Sequence, residues 1–235
     1  MIDKNLIKTV FVDVDDTIWW FTENSKVALR HVYDAFGLSK WQNSYETFRD
    51  IYLEKNNELW HLYHYGKIEK DYLITERFRF TLSKIGVVDG VEDFARIVNE
   101  EYLTFLDSQE IMVPGAEDLL EYLNERYEVH VLSNGFKEAQ VQKLKSAGIL
   151  HLVGNLIISD DCGYTKPMRG IFDYALKECG CEAESTVMIG DNADADIGGA
   201  HDAGWKTIYF NIHRTEPCGV ADAEVQRLED VKLYL

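Results

Sequence analysis

The sequence predicts an α/β protein, on three observations. Short apolar strands alternate with helices through its second half, one isolated strand lies near its start, and between them runs a long helical stretch with almost no strand-like alternation. At 235 residues and 46% apolar, the chain can bury a sizeable core, which excludes a disordered acidic tail. The length suits one large domain, or one domain carrying an insert.

Residues 6–12 form a β-branched and apolar run that reads as a buried strand, and it stops abruptly at Asp13-Val14-Asp15-Asp16-Thr17. Residues 25–36, 44–65, 68–85 and 91–107 then read as helices, with Gly37, Gly66 and Gly86 at the breaks. Pro114-Gly115 opens a helix over 116–126, and a strand over 128–132 ends at Ser133-Asn134-Gly135. A helix over 137–147, a strand over 155–158, a loop over 159–165 and a helix over 170–178 follow. A strand over 186–189 ends at Gly190-Asp191, a helix over 197–203 closes at Gly204, and 206–210 reads as the last strand. Pro114, Pro167 and Pro217 all fall at joints between elements, where a missing backbone donor costs little. The expected architecture is a Rossmann-like three-layer core of residues 1–18 and 112–235, with a parallel sheet, helices on both faces and right-handed crossovers. An all-helical insert, residues 19–111, interrupts this core after its first strand.

The formal charge of −17 argues against a nucleic-acid polymer as partner, because such a partner needs a basic footprint. It argues equally against docking on an anionic membrane surface. Cys162, Cys179, Cys181 and Cys218 fit neither a disulfide framework nor a zinc site and read as ordinary reduced thiols. No segment approaches the ~20 apolar residues of a membrane helix, and the opening residues become charged before a signal-like stretch develops. The expected setting is soluble and cytoplasmic.

The chemistry-bearing residues cluster at the carboxyl ends of strands, where open α/β sheets place their ligands. In extended chain Asp13 and Asp15 point to one side. Two bare carboxylates ~4 Å apart repel by roughly 4 kcal/mol at an effective dielectric of about 20. A solvated, capped turn is one reading of Asp13, Asp15 and Asp16; a hard divalent cation held there is the other, and the repulsion favours it. The run Gly190-Asp191-Asn192-Ala193-Asp194-Ala195-Asp196 adds a second acidic group at a strand end. It is not a calcium loop, because Ile197 stands where the sharp turn needs Gly and no Glu follows at position twelve. Asp191, at the strand tip, suits a metal; Asp194 suits a helix cap. Ser133-Asn134-Gly135 offers a hydroxyl and free backbone N–H groups beside a helix start, which suits an anion, and Lys166 precedes Pro167.

At these residues the chain resembles the haloacid-dehalogenase-like (HAD) hydrolase superfamily. The match is DxDxT as Asp13 to Thr17, a strand ending in Ser133-Asn134-Gly135, Lys166 before Pro167, and GDxxxxD as Gly190 to Asp196. The helical insert resembles that superfamily's first class of cap. The resemblance implies Asp13 as nucleophile and Asp15 as acid/base. It implies Mg2+ held by Asp13, the backbone carbonyl of Asp15 and Asp191, with Asn192 and Asp196 orienting the ion's waters rather than touching it. Thr17, Ser133, Asn134, Gly135 and Lys166 would bind the phosphoryl group. The implied substrate is a small phosphomonoester. A halide leaves without a proton whereas an alkoxide needs one, so Asp15 favours phosphoester hydrolysis over dehalogenation.

The insert holds 18 of the chain's 29 Trp, Tyr and Phe residues, more than a small helical bundle's share by length. Most belong to its own core, while Trp60, His61, Tyr63, His64 and Tyr65 are the group expected to face a substrate, as a stacking surface for a nucleobase. More closely, the chain looks like the bacterial pyrimidine 5′-nucleotidase branch. That likeness runs through Leu59-Trp60, Tyr63, Gly66-Lys67-Ile68 and Arg77-Phe78, then Asn211 and Arg214-Thr215-Glu216-Pro217. Met168-Arg169 departs from it, standing where polar residues are usual. The alternatives are a phosphatase of small sugar or metabolite phosphates, a 2-haloacid dehalogenase, and a non-enzymatic phosphoacceptor or interaction module. The oligomeric state is left open.

Overall fold

A computed structural model describes residues 2–235. Six strands form one sheet: β1 (Thr9–Val12), β2 (Glu128–Ser133), β3 (Leu156–Ile158), β4 (Thr186–Gly190), β5 (Lys206–Phe210) and β6 (Ala223–Val225). Every pairing is parallel, in the order β3-β2-β1-β4-β5-β6. Val12 lies opposite both Val131 of β2 and Ile189 of β4, so β1 is central. All four of its residues are buried, as expected of a strand covered on both faces. The chain winds outward from β1 through β2 to β3, then returns to start β4 on the other side of β1 and winds outward again. The reversal between β1 and β4 opens a crevice at their carboxyl ends.

The helices are α1 (Phe21–Ala35), α2 (Tyr45–His64), α3 (Lys70–Ile85), α4 (Val91–Asp107), α5 (Ala116–Asn124), α6 (Lys137–Ser146), α7 (Ser159–Cys162), α8 (Arg169–Cys179) and α9 (Gly199–Asp202). The chain divides into two compact units, Met1–Phe21 with Glu110–Leu235, and Thr22–Gln109. In the first unit, Phe11, Leu132, Phe172, Met188 and Trp205 belong to one buried cluster. The Trp205 ring lies 4.8 Å from that of Phe11 and 5.3 Å from that of Phe172, the latter nearly perpendicular. Residues 19–21 belong to this unit, where the Trp20 N–H donates to the Ile111 carbonyl and the Val113 N–H to that of Ile18. The second unit is all-helical. It is centred on Tyr52, Phe78 and Tyr102, whose rings meet at 4.7 to 5.5 Å.

The structure departs from the expected elements in several places, and α1 begins at Phe21, four residues before the expected start. The first strand begins at Thr9, because Leu6 is exposed. The expected loop over 159–165 contains the short helix α7. The expected helix over 197–203 begins earlier, as a π-helical turn (Ala193–Gly198) running into α9. Residues 206–210 are not the last strand, since β6 adds three residues that pair with β5. No described helix is long and apolar enough to cross a membrane, and the four cysteines are free thiols.

Two consequences follow for stability. Phe172→Ala removes a fully buried ring from the main cluster and should cost about 3–5 kcal/mol, read as a lower urea midpoint. His130 accepts the Asn155 N–H at 3.0 Å through Nδ1, and burial holds its pKa below the ordinary 6.5. The folded protein therefore keeps this imidazole neutral while the unfolded chain protonates it, so its contribution is complete above about pH 6.5 and declines as pH falls below that. Urea titrations at a series of pH values should show a shallower acid loss for His130→Gln than for the native chain; equal slopes would refute the assignment.

Candidate active site

Asp13 is the first residue past β1, and its N–H donates to the Ile189 carbonyl of β4 at 2.9 Å, continuing the sheet by one bond. The chain then folds back on itself. The Val14 carbonyl accepts from the N–H groups of Thr17, Ile18 and Trp19, and the Asp16 N–H donates to the Trp19 carbonyl at 2.8 Å. This tight return puts Asp16 at a φ of 55°, an uncommon conformation outside glycine that Asp tolerates better than most. It leaves Asp15 half-exposed and buries Thr17 completely, its hydroxyl without a hydrogen-bond partner.

Lys166 reaches the same place from the segment after α7. Its buried ammonium lies 2.6 Å from Asp13 Oδ1 and 2.6 Å from Asp196 Oδ1, and donates to the Leu132 carbonyl at 2.8 Å. Its aim is set by Asn134, whose side-chain oxygen accepts the Lys166 N–H at 2.7 Å and whose Nδ2 donates to the Lys166 carbonyl at 2.9 Å. The Asn134 side chain is thus committed to holding Lys166. Burial pulls the Lys166 pKa down, but Asp13 and Asp196 outweigh it and leave it above the ordinary lysine value. For Asp13, burial pushes the carboxyl well up; Lys166 opposes this, and Asp196, Asp191 and Asp15 add to it.

The glycine of the second acidic run has a steric reason. A Cβ on Gly190 would sit 2.3 Å from Asp196 Oδ2, so only glycine lets Asp196 fold back against the strand end. There Asp196 Oδ2 accepts the Asn192 N–H at 3.0 Å, while Asn192 Oδ1 accepts from the N–H groups of Asp194 and Ala195. Asn192 is therefore the cap of the π-helical turn. Asp194 is exposed.

Carboxylate oxygens of Asp13, Asp191 and Asp196 lie within 4.8 Å of one another. Against the single Lys166, three ionised carboxyls would leave an excess of two negative charges. All-oxygen donors with that excess fit a small, hard divalent cation. Asp196 Oδ2 accepts the Asn192 N–H, and its buried Oδ1 makes an ion pair with Lys166 without a hydrogen bond, so Asp196 stands with Asp13 and Asp191 as a candidate ligand. Burial raises Asp191 to about 6, with His213 acting against the shift.

Ser133 closes the group. Its hydroxyl oxygen accepts from the Gly135 N–H at 3.1 Å and from Gln140 Nε2 at 3.0 Å, occupying both lone pairs. The hydroxyl hydrogen remains to donate, which suits an anionic oxygen. Gly135 is required here too, since a Cβ on it would sit 1.9 Å from Gln140 Nε2.

Three side chains that the sequence reading does not single out stand in this group. Gln140 and Lys143 of α6 hold the two oxygens of Asp15, at 2.8 and 2.7 Å. His213, in the segment after β5, lies 3.5 Å from Asp16 and 3.7 Å from Asp191, and these contacts raise its pKa to about 10. The spacing of Gln140 and Lys143, three residues apart just past Ser133-Asn134-Gly135, was the available signal for a shared helix face. Nothing in the sequence marks His213. The aromatic group at the end of α2 packs largely on itself: Trp60 lies against Tyr63 and His64, and His61 against Tyr65.

Comparison with known proteins identifies the family. The family model for haloacid dehalogenase-like hydrolases matches residues 7–204. The HAD-hydrolase YfnB of Bacillus subtilis is 28% identical over 228 residues, 95% of this chain and 93% of that protein. Its crystal structure, bound to magnesium, superposes with a TM-score of 0.87 at 27% identity, covering 97% of this chain and 98% of that one. The pyrimidine 5′-nucleotidase YjjG of Escherichia coli is 31% identical, with 90% of each chain covered. The pyrimidine 5′-nucleotidase PynA of Streptococcus pneumoniae is 30% identical, covering 89% of this chain and 86% of that one. With its sheet order, strand-end acids and buried lysine, the chain belongs to the haloacid dehalogenase-like hydrolases.

Proposed function

We propose that this hydrolase is a Mg2+-dependent phosphomonoesterase working through an aspartyl-phosphate on Asp13, with a nucleoside 5′-monophosphate as substrate. The observation that carries the reading is the buried Asp13 carboxylate, held 2.6 Å from Lys166 beside Asp191 and Asp196, with Asp15 two residues away on a fixed turn. Asp13 and Asp191 would hold the ion with the Asp15 carbonyl, and Asn192 and Asp196 would brace it. When bound, the ion supplies positive charge that lets the phosphoryl oxygens approach a carboxylate.

The chain's own residues divide the remaining work. An Asp13 oxygen attacks phosphorus in line and the ester P–O bond breaks, splitting one hard displacement into two easier ones. Asp15 gives its proton to the departing alkoxide, then accepts a proton from the water that attacks the acyl phosphate; phosphate leaves and Asp13 is restored. Lys166 neutralises charge on the transferring group, and the free Ser133 hydroxyl hydrogen, with the Asn134 N–H, binds its oxygens, whereas the Gly135 N–H, expected to join them, is engaged by Ser133 Oγ at 3.1 Å. The acid at Asp15 favours an alkoxide leaving group over a halide, which places dehalogenation second as a reaction.

The nucleotide assignment is supported by two relatives at 31% and 30% identity that are named pyrimidine 5′-nucleotidases. The aromatic-rich insert offers stacking surfaces. A phosphatase of small sugar or metabolite phosphates is the alternative substrate class.

Turnover of p-nitrophenyl phosphate should vanish in EDTA and return with Mg2+; hydrolysis that persists after chelation would remove the ion from the mechanism. Asp13→Asn should lower turnover by at least ~10⁴-fold with an unchanged circular dichroism spectrum, because it removes a carboxylate that burial already disfavours as an anion. A screen across nucleoside monophosphates and sugar phosphates should give its highest kcat/KM on a pyrimidine nucleotide. Preference for sugar phosphates would retire the nucleotide assignment and leave the chemistry standing.

A further inference from the structure

We propose that Gln140 and Lys143 are positioning residues that clamp Asp15, fixing the rotation of the carboxyl that delivers the proton to the leaving group. This rests on Asp15 acting as the acid, as argued above.

The geometry is a two-point hold. Gln140 Nε2 donates to Asp15 Oδ2 at 2.8 Å and Lys143 Nζ donates to Asp15 Oδ1 at 2.7 Å. The two donors stand three residues apart on α6, on one face of the helix, so both reach a single carboxyl without distorting the backbone. With one donor the carboxyl could swivel about its last bond; with two on opposite oxygens it cannot, and because Oδ1 faces the Lys143 ammonium the proton is carried on Oδ2, whose partner is the neutral Gln140 amide. General acid catalysis depends on the proton lying within hydrogen-bond reach of the departing oxygen, so orientation is what such a clamp supplies.

Both side chains are placed at a cost that packing alone would avoid. Gln140 is fully buried, and its Oε1 has no hydrogen-bond partner. A leucine in that space would bury no orphaned acceptor, so the amide is retained for its NH2 end. That end is fully used, one contact going to Asp15 and one to Ser133. Gln140 therefore ties the proposed acid to the hydroxyl proposed to bind the phosphoryl group. Lys143 is nearly fully buried, and its ammonium lies 4.7 Å from the Trp19 ring centroid and 5.6 Å from that of Phe21. The two ring faces favour its charge. Trp19 and Phe21 follow Asp15 by four and six residues, so the turn carrying the acid and the start of α1 also place rings against the residue that holds it.

The test is a leaving-group series, from p-nitrophenyl phosphate, whose phenoxide leaves without help, to alkyl phosphates, whose alkoxide needs a proton. Gln140→Leu and Lys143→Met should each lose roughly 10²-fold more in kcat/KM on alkyl phosphates than on p-nitrophenyl phosphate, because kcat/KM ends at release of the leaving group and excludes the acyl-phosphate hydrolysis common to all esters. Gln140→Leu removes the orphaned acceptor and should fold, which keeps the test open should Lys143→Met not fold. In an Asp15→Asn background neither substitution should add a further leaving-group effect, because both act through Asp15. A merely structural role would lower all esters alike and add to Asp15→Asn, and either result would overturn the clamp. If Asp15→Asn alone lowered kcat/KM equally for every ester, the acid assignment would fall and the clamp with it. A selective Asp15→Asn with unselective Gln140 and Lys143 variants would reject the clamp and leave the acid standing.

Discussion

One ammonium group holds the working end of the sheet together. Lys166 Nζ meets Asp13 beyond β1, the Leu132 carbonyl on β2 and Asp196 in the turn beyond β4. It thus joins the chain segments on both sides of the point where the strand order reverses. Such a group cannot be buried alone, because desolvating it costs several kcal/mol that only well-placed anions offset. The surrounding details serve this pairing. The Asn134 amide grips the Lys166 backbone, Gly190 leaves room for Asp196, and the Asn192 N–H takes the Asp196 oxygen that Lys166 does not.

The same pairing explains why a chain with a formal charge of −17 could act on an anion. One lysine against three close carboxylates leaves the pocket short of positive charge, and burial presses Asp13 and Asp191 toward their neutral forms. A divalent cation relieves both conditions at once and turns the local field toward a phosphoryl group. The surface acids still make the wider field repulsive, so specificity for an anion would be a matter of a few ångströms around Asp13, not of the molecule as a whole.

Legibility followed how local each signal was. The apolar runs of β1, β2, β4 and β5 and the turn residues after them could be read directly, because a buried parallel strand and its exit are both written in consecutive residues. The three-residue β6 could not, since nothing in Ala223-Glu224-Val225 marks a strand until β5 lies beside it. The start of α9 was misplaced for a related reason: a π-helical turn capped by Asn192 has no distinct periodicity of its own. Gln140 and Lys143 were passed over because a helix such as α6, rich in Lys, Gln and Glu, reads as a solvated face. Both are buried, and each meets Asp15, more than a hundred residues earlier in the chain.

The α/β alternation, the strand tips that carry Asp13, Ser133 and Asp191, and the resemblance that relates them are all legible in the amino-acid order. Each of these depends on residues within a few positions of one another. Which donors and acceptors are already engaged is settled by the folded chain. It committed the Asn134 side chain to Lys166 and Asp196 Oδ2 to the Asn192 N–H. It brought His213 to Asp16 and Asp191, and set Gln140 and Lys143 on Asp15. Hydrogen bonds and ion pairs are settled by proximity across the fold and by competition for a limited number of lone pairs, and neither quantity is carried by any short stretch of chain.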